Sequence, residues 1–530
     1  MTKKRIKPRI SQIWLIPGVL TVFLLLLVIL PLGYMFAAMD GESIQKVFAK
    51  DSFGSVLLNS VVASALTTVI SLTLAYLLAW CLERTAIPGK RIFYLLLTLP
   101  MLIPSVSLGM GAVLLGGNNG ILTNLLHLPS GGIYGLFGIV YASVMYTLPV
   151  AFLMMVNIFK YEDSSPYDAA FVLGLPRVRR FTAITLPYLR KPLIAMAFSV
   201  FTLSFTDYGV PLMVGGKFKT LPVLMYQEVI GQLDFGKGCV YGSILLVPAL
   251  VAFLVDMLNQ NHAGASFVAR PFVISPSRKR DAIALVCAIL MTVFSVLPIL
   301  SFSVLAFVKK YPSDMILTLE NFTRTIQAGA GRYLLNSILI ALGVATIGVV
   351  LGVFLAYFTA RHAGKIGRVL HLIAMSTGAI PGVVLGLSYV LFFKGSPIYG
   401  TIIILILVNI IHFFSSPYLM IYTSFSKLNE NLESVASTLG FGRRRLLFNV
   451  FIPKCSRTVR EMFSYFFVNS MMTISAVSFL ANTSNKSVAL MINQFEAQAQ
   501  MEYAAVVSLM ILTVNIAVKA AFHGGASKQR

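Results

Sequence analysis

Two ionisable side chains stand inside long apolar runs of this sequence, where charge is otherwise rare. Asp207 is the sole carboxylate of FTLSFTDYGVPLMVGG, residues 201–216, and His412 lies in NIIHFFSSPY, residues 409–418. An ionisable group in such a run is costly to bury and commonly serves binding or proton transfer. Two interpretations therefore stay open for each residue: a position on a path for a solute, or a hydrogen-bonded position inside a helix bundle.

The sequence lacks the motifs of ATP, zinc and disulfide chemistry. A phosphate-binding loop requires GxxxxGK[ST], and the nearest candidates, VGGKFKT at 214–220 and HAGKIG at 362–367, do not have that pattern. The cysteines include no CxxC pair, which argues against a zinc site or a disulfide framework; they are Cys81, Cys239, Cys287 and Cys455. We therefore predict a chain that is not an enzyme and that binds no cofactor or metal of its own.

Apolar helices are the elements that must hold these residues. Hydrophobic residues make up 57% of the 530 residues and charged residues 12%, whereas a soluble domain has about 25% charged residues. Apolar runs of about 20 residues, enough for a helix to cross a bilayer, recur along the chain. We predict an all-α membrane protein with about twelve spans, near residues 13–38, 55–82, 92–116, 133–160, 191–215, 238–258, 281–308, 333–361, 367–394, 398–423, 456–481 and 502–522.

The basic charge is concentrated in alternate loops between these spans. The formal net charge of +23 would by itself suit a nucleic-acid partner. With the amino terminus in the cytoplasm, however, the cytoplasmic segments hold 31 of the 42 Lys and Arg residues, as the positive-inside rule for membrane proteins requires. We therefore expect a lipid bilayer and no nucleic acid as surroundings, with both termini cytoplasmic.

The chain contains a tandem duplication. IPSVSLG at 103–109 returns as IPGVVLG at 380–386, and LLNS at 57–60 returns at 334–337. Further matches follow in the same order, so we predict two parallel six-span repeats. The predicted limits are 1–258 for the first repeat, with a loop at 160–191; 259–281 for a cytoplasmic linker; and 282–530 for the second repeat, with a loop at 424–455.

A basic loop lies between the fourth and fifth spans of each repeat. In the first loop, Ala169 and Ala170 favour a short helix, and Gly174 would end it in a left-handed conformation. A second, basic helix then runs to Pro187. We predict a helix–turn–helix whose small tip residues can enter a cleft on a partner. An ordinary basic loop is the alternative, and the duplication argues against it.

These paired loops resemble the EAA signature of bacterial ABC importer permeases: Glu-Ala-Ala, three residues, Gly, nine residues, Ile, one residue, Leu-Pro. The first loop matches it, with Asp in place of Glu, at Asp168, Ala169, Ala170, Gly174, Ile184, Leu186 and Pro187. The second loop is degenerate, with Ser434, Val435, Ala436, Gly440, Val450, Ile452 and Pro453, and with Glu433 one place early. The whole chain is similar to fused (tandem) permeases of the ferric-iron, 2-aminoethylphosphonate and thiamine group, which have the type I importer fold.

Membership of that family implies that each loop docks as a coupling helix on a cytoplasmic ABC ATPase homodimer, which binds ATP and magnesium. It also implies an extracytoplasmic solute-binding protein and a place in the bacterial cytoplasmic (inner) membrane. Whether the degenerate second loop couples equally stays open. The expected coupling residues are Asp168, Ala169, Ala170, Gly174, Ile184, Pro187, Glu433, Ala436, Gly440 and Pro453.

The spacing that aligns Gly174 with Gly440 also places Thr473 of the second repeat opposite Asp207 of the first. Both lie in polar runs, TDYGVP at 206–211 and TISAVSFL at 473–480. We therefore expect an asymmetric translocation path, with His412 as a further candidate. The lining residues of this path are Ser204, Thr206, Asp207, Thr473, Ser475 and Ser478.

The same two runs look nearest the phosphonate and ferric branches of the family. The expected solute is 2-aminoethylphosphonate or a related phosphonate, with ferric iron or thiamine as the alternative. Two other classes of protein stay open. A twelve-span ion-coupled secondary transporter would be expected to hold more intramembrane ionisable groups, and a membrane scaffold would have no polar path.

Overall fold

Nearly every element of the structure is a helix. The computed structural model describes residues 18–127, 132–260, 270, 272–361 and 364–523. Within them, one short antiparallel ribbon pairs β1 (Val308–Lys310) with β2 (Asp314–Leu317). The predicted all-α class is confirmed.

The helices differ widely in length, because many apolar runs are interrupted by proline, glycine or a polar residue. Short π-helical turns lie at Leu25–Ile29, Phe181–Thr185, Gln227–Gly231, Ile326–Ala330 and Leu447–Phe451, and 3-10 turns lie at Leu99–Leu102 and Thr377–Ala379. In chain order the helices are α1 (Gly18–Ala37), α2 (Gly41–Phe48), α3 (Ser52–Glu83), α4 (Lys90–Thr98), α5 (Ser105–Gly116), α6 (Ile121–Leu125), α7 (Leu136–Lys160), α8 (Ser165–Val172), α9 (Arg177–Arg180), α10 (Leu186–Phe205), α11 (Gly209–Val214), α12 (Leu221–Tyr226), α13 (Phe235–Gln260), α14 (Arg278–Leu305), α15 (Glu320–Thr325), α16 (Gly331–Arg361), α17 (Lys365–Ser376), α18 (Gly382–Phe393), α19 (Ile402–His412), α20 (Ser415–Ser426), α21 (Leu432–Thr438), α22 (Arg443–Leu446), α23 (Ile452–Lys454), α24 (Ser456–Met472), α25 (Leu490–Ala497) and α26 (Met501–His523).

Two compact units divide the described chain. The amino-terminal unit comprises residues 40–331 and 488–513. The carboxyl-terminal unit comprises the described parts of 1–39, 332–487 and 514–530. These units do not coincide with the two predicted repeats. The first helix of the first repeat, α1, lies in the carboxyl-terminal unit, and the first helix of the second repeat, α14, lies in the amino-terminal unit. The repeat limits concern the duplication of the sequence and remain a prediction.

Close contacts hold α14 and α1, the two helices that are exchanged between the repeats. In the amino-terminal unit, α14 packs against α3, α4 and α5. Gly111 on α5 has no room for a side chain because the backbone of Pro298 on α14 lies against it, and the Ser301 hydroxyl donates to the Gly111 carbonyl at 3.1 Å. In the carboxyl-terminal unit, α1 packs against α18, and the Tyr389 hydroxyl donates to the Leu27 carbonyl at 2.8 Å.

The long apolar helices account for most of the predicted spans. Among the described residues, seven helices are long and apolar enough to cross a membrane, or ten if each of three bent helix pairs counts as one span. The remaining two predicted spans are the fifth of each repeat. Their helices, α10 and α24, end at Phe205 and Met472, before runs that are not continuous helix. The fifth span is therefore broken at matching places in both repeats.

After each break, the chain crosses a short helix that follows a proline in the same unit. These short helices are α5, which follows Pro104, and α18, which follows Pro381. In the amino-terminal unit, α11 crosses α5, and the Ser105 hydroxyl lies where a side chain on Gly209 would stand. In the carboxyl-terminal unit, the Ser475 hydroxyl lies where a side chain on Gly382 would stand. In the aligned repeats, Ser105 matches Gly382 and Gly209 matches Ser475. Each crossing therefore needs one glycine, and the two repeats place it on opposite partners.

We expect Gly209→Ser to destabilise the protein by about 1–3 kcal/mol, because the added hydroxymethyl group meets the Ser105 side chain and overpacks the crossing. Adding Ser105→Gly reproduces the arrangement of the other repeat and should recover most of the loss. Thermal unfolding of the detergent-purified protein measures both variants, with Ser105→Gly alone as the control. A Gly209→Ser variant as stable as the wild type would contradict the predicted crowding.

Candidate functional site

Both predicted coupling loops end a short helix with a left-handed glycine. Gly174 follows α8 with a φ of +66°, and Gly440 follows α21 with a φ of +73°. The glycine N–H donates to a helix carbonyl at 3.0 Å in the first loop and 3.1 Å in the second, and the next N–H donates to the carbonyl of Ala170 at 3.0 Å or Ala436 at 2.8 Å. No described atom outside the turn lies within 4 Å of the place of a side chain on either glycine. The positive φ, and not crowding, therefore requires glycine.

The motif residues at the first tip divide into exposed and buried positions. Asp168 and Ala169 are exposed on α8, whereas Ala170 and its counterpart Ala436 are buried. Asp168 forms no ion pair with the described residues. Its carboxylate lies in the first turn of the helix, where the helix dipole favours a negative charge, and it is exposed to solvent.

The first loop has the more apolar tip. Phe171, Val172 and Leu173 are exposed by 70%, 84% and 75%. An exposed apolar cluster at a loop tip is typical of a surface that binds another protein. The first loop therefore offers more apolar surface than the second, in which the aligned positions are Ser437, Thr438 and Leu439.

A short basic helix and a π turn follow the glycine in each loop. The π turns are Phe181–Thr185 and Leu447–Phe451, at aligned positions of the two repeats. The motif residue Ile184 lies half-buried in the first of these turns. Pro187 and Pro453 each lie at the second position of the helical segment that directly continues the π turn. The two loops thus share their backbone course beyond the motif.

Glu433 anchors the second loop to the end of a long helix. Its carboxylate accepts from Nε and Nη2 of Arg361 on α16, both at 2.6 Å, which is the bidentate geometry of a strong ion pair. The Arg361 side chain is only 5% exposed. Its guanidinium also donates to the carbonyls of Phe425, Leu428 and Asn429. These bonds attach α21 and the turn before it to the end of α16.

An equivalent anchor in the first loop uses residues that belong to no sequence motif. Arg84 follows α3 and pairs with Glu162 at 2.5 Å. Tyr167 takes the position that Glu433 has in the second loop, and its hydroxyl donates to Glu162 at 2.6 Å. Arg84 and Arg361 stand at equal distances after the repeated LLNS segment, which is a signal for the basic partner. The acidic partners occupy different positions in the two repeats, so the repeat pattern does not reveal them.

Asp207 closes the break between α10 and α11 in the amino-terminal unit. Its carboxylate accepts from the Ser105 hydroxyl at 2.6 Å, from the Gly209 N–H at 3.4 Å and from the Val210 N–H at 2.9 Å. N–H groups that open a helix have no carbonyl partner within it, so Asp207 serves as their cap. These contacts are those expected of a hydrogen-bonded residue inside a helix bundle. A position of Asp207 on a path for a solute stays a prediction.

A small cavity adjoins Asp207 on the side of Ser204. Its other polar lining groups are Ser60, Ser64 and Thr220. The Thr220 hydroxyl is buried and has no hydrogen-bond partner among the described residues. Thr206 does not line this cavity, and its hydroxyl donates to the Thr202 carbonyl at 2.9 Å. The structure thus brings Ser204 and Asp207 together and leaves Thr206 apart.

His412 and Ser475 meet at Gly382 in the carboxyl-terminal unit. Two ring atoms of His412, Cε1 and Nε2, lie 3.0 Å from the place of a side chain on Gly382. The buried Nδ1 of His412 has no hydrogen-bond partner among the described residues. Thr473 is buried where α24 ends, and the Ser478 hydroxyl donates to a carbonyl of its own turn at 2.7 Å. Two of the predicted path residues therefore meet in this unit as well.

Two segments of the chain match one protein family. The family is described as "Binding-protein-dependent transport system inner membrane component", and the matches cover residues 74–261 and 348–523. Each matched segment includes one of the two predicted coupling loops.

Relatives resemble the chain over different shares of its length. A ferric transport system permease protein of Actinobacillus pleuropneumoniae is 25% identical over 515 residues, which cover 91% of this chain and 74% of that protein. A putative ferric transport system permease protein of Haemophilus influenzae is 25% identical over 504 residues, or 89% of this chain and 79% of that protein. A thiamine transport system permease protein of Haemophilus influenzae is 27% identical over 227 residues, or 40% of this chain and 42% of that protein.

We expect Asp207→Ala to lower the free energy of unfolding by about 1–3 kcal/mol, because two helix-opening N–H groups and a serine hydroxyl lose their acceptor. Asp207→Asn keeps one acceptor oxygen and should lose less. Thermal unfolding of the purified chain compares the two variants with the wild type. Equal losses for the two variants would show that capping is not what Asp207 contributes.

Proposed function

The chain belongs to the family of binding-protein-dependent transport system inner membrane components, and on this premise we propose that it forms the membrane path of an importer for ferric iron. It is a permease of the ABC importer type, a transport component and not an enzyme. The two ferric permeases support this solute because they align with 91% and 89% of the chain. The pair of loops with matching glycine turns, one in each matched segment, is the observation that carries the proposal.

In the proposed mechanism, α8 and α21 are coupling helices that dock on a cytoplasmic ABC ATPase homodimer. That homodimer binds ATP and magnesium, and this chain binds neither. The exposed apolar tip of α8 supports the docking. The anchors at Arg84 and Arg361 support the coupling, because a displacement of a short helix reaches the membrane bundle only if the helix is firmly attached to it.

The bundle itself must have two states for transport to occur. Nucleotide-loaded ATPase and solute-loaded binding protein shift a transporter between states only if they bind those states with different affinity. The broken fifth spans, where α10 and α24 end, are the elements we assign to this change. The residues proposed to border the path are Ser204, Thr206, Asp207, Thr473, Ser475 and His412.

The proposed setting is the bacterial cytoplasmic (inner) membrane with both termini in the cytoplasm. The protein is a multi-pass membrane protein of its family. The orientation is supported by the 31 Lys and Arg residues, of 42, that fall in the segments assigned to the cytoplasm. An extracytoplasmic solute-binding protein would deliver ferric iron at the opposite face.

Two further solutes keep weaker support. Thiamine is supported by the thiamine permease, which aligns with 40% of the chain. A phosphonate is supported by the runs at 206–211 and 473–480 alone. Membership of the family argues against an ion-coupled secondary transporter and against a scaffold without transport.

We expect ferric iron to raise the melting temperature of the cognate solute-binding protein by at least about 5 °C, because saturating ligand stabilises the folded state by mass action. Thermal unfolding with ferric iron, 2-aminoethylphosphonate and thiamine compares the three solutes. The control is a binding protein from another importer. Stabilisation by 2-aminoethylphosphonate or thiamine, without ferric iron, would transfer the proposal to that solute.

We expect Gly174→Val and Gly440→Val to reduce uptake per ATP hydrolysed, because a branched side chain at positive φ costs more than about 1–2 kcal/mol and distorts the coupling helix. Gly442→Val is the matched control, since Gly442 has a φ of −74° and open space around it. Uptake and ATP hydrolysis are measured together in liposomes that contain the complete importer. Normal coupling in both variants would contradict the role of these loops.

A further inference from the structure

Two described residues of the predicted linker, Arg270 and Phe272, contact the first coupling loop directly, whereas residues 261–269 and 271 of that linker lie outside the described part of the chain. The Ser164 N–H, just before α8, donates to the Arg270 carbonyl at 3.0 Å. In return, the Arg270 N–H donates to Oδ1 of Asp163 at 3.1 Å. Asp163 also accepts from the N–H and hydroxyl of Ser165, and these bonds hold its pKa below the usual value. The carboxylate that receives the linker is therefore ionised at neutral pH.

Phe272 extends this contact to the anchor of the loop. The Arg84 guanidinium carbon lies 3.7 Å from the centre of the Phe272 ring, which is a close cation–π contact. The same ring packs edge-on against the Tyr167 ring at 5.2 Å between centroids. Arg84 and Tyr167 are the two residues that bind Glu162. The ring of Phe272 thus packs against both Arg84 and Tyr167, whose bonds to Glu162 join α8 to α3.

The second repeat builds the same contact from its own residues. There, the guanidinium of Arg361 lies 5.2 Å from the ring centre of Phe451 in the π turn. The aligned residue of the first repeat is Thr185, whose hydroxyl bonds to the Tyr167 hydroxyl at 2.7 Å. The first repeat therefore has no aromatic ring at the place where the second repeat has one. Phe272 of the linker adds a ring to Arg84 instead, beside the ring of Phe159, whose centre lies 5.0 Å from the Arg84 guanidinium carbon.

We propose that the linker contributes to the first coupling loop through Phe272. Phe272 is a positioning residue that holds Arg84 against Glu162 and so fixes α8 to α3. The transport consequence rests on the proposed function, in which α8 carries the movement of the ATPase. The linker then does more than connect the repeats, because it completes one of the two coupling sites. The first anchor combines contacts within its own repeat, to Glu162 and Phe159, with the ring of Phe272, whereas the second anchor uses residues of its own repeat.

The test uses the complete importer, with its ATPase and binding protein, in liposomes. Phe272→Ala should lower ferric uptake per ATP hydrolysed by about tenfold, since a partly buried cation–π contact is worth roughly one such factor. Phe272→Tyr keeps the ring and should restore coupling. Val273→Ala is the matched control, because Val273 is the next linker residue and is 90% exposed. Coupling that is unchanged in Phe272→Ala would overturn the proposal.

A second measurement does not depend on transport. Amide hydrogen exchange of the detergent-purified full chain should be about tenfold faster in α8 of Phe272→Ala than in the wild type, with α21 unchanged. Equal exchange in α8 of both proteins would also overturn the positioning role. If wild-type liposomes show no ATP-dependent ferric uptake, the proposed function fails, and the exchange result alone then decides whether Phe272 positions α8.

Discussion

One arginine at the loop end of the second long helix of each repeat holds the neighbouring loop in place. Arg84 and Arg361 have side chains that are 13% and 5% exposed, and each is paired with a glutamate. Removing one partner of a buried ion pair costs about 3–5 kcal/mol, because the other charge stays buried and unpaired. The pair therefore fastens a short, exposed helix to a long one. The glycine turn and the apolar tip depend on this attachment for their position.

Local features of the fold were accessible from the sequence. The apolar runs predict the long helices, and the small residues before Gly174 and Gly440 predict the glycine turns, because both depend on residues close in the chain. The broken fifth spans were not predicted, since a hydropathy pattern does not report where a helix ends. Asp207 was identified as unusual, but its acceptor role depends on Ser105, a residue 102 positions away.

Residues that act through long-range pairs were harder to find. The sequence pattern predicts that Glu433 is a displaced motif residue, whereas in the structure it binds Arg361, 72 positions earlier. Glu162 belongs to no sequence motif. The exchange of glycine and serine between the two helix crossings is visible in the aligned repeats, but its meaning requires the contact itself. A repeat comparison therefore finds equivalent positions, and only the packed structure shows which positions compensate each other.

The exchange of first helices bears on how the chain is made. In synthesis, α1 precedes its partner α18 by about 345 residues, from Ala37 to Gly382, which takes roughly 20–70 s at 5–20 residues per second. An apolar helix can wait that long in a bilayer, because lipid solvates it as well as protein does. Fusion of the repeats keeps the waiting helix and its partner at high effective concentration. Because both repeats belong to one polypeptide, they are made in equal amounts, and each exchanged helix has one partner.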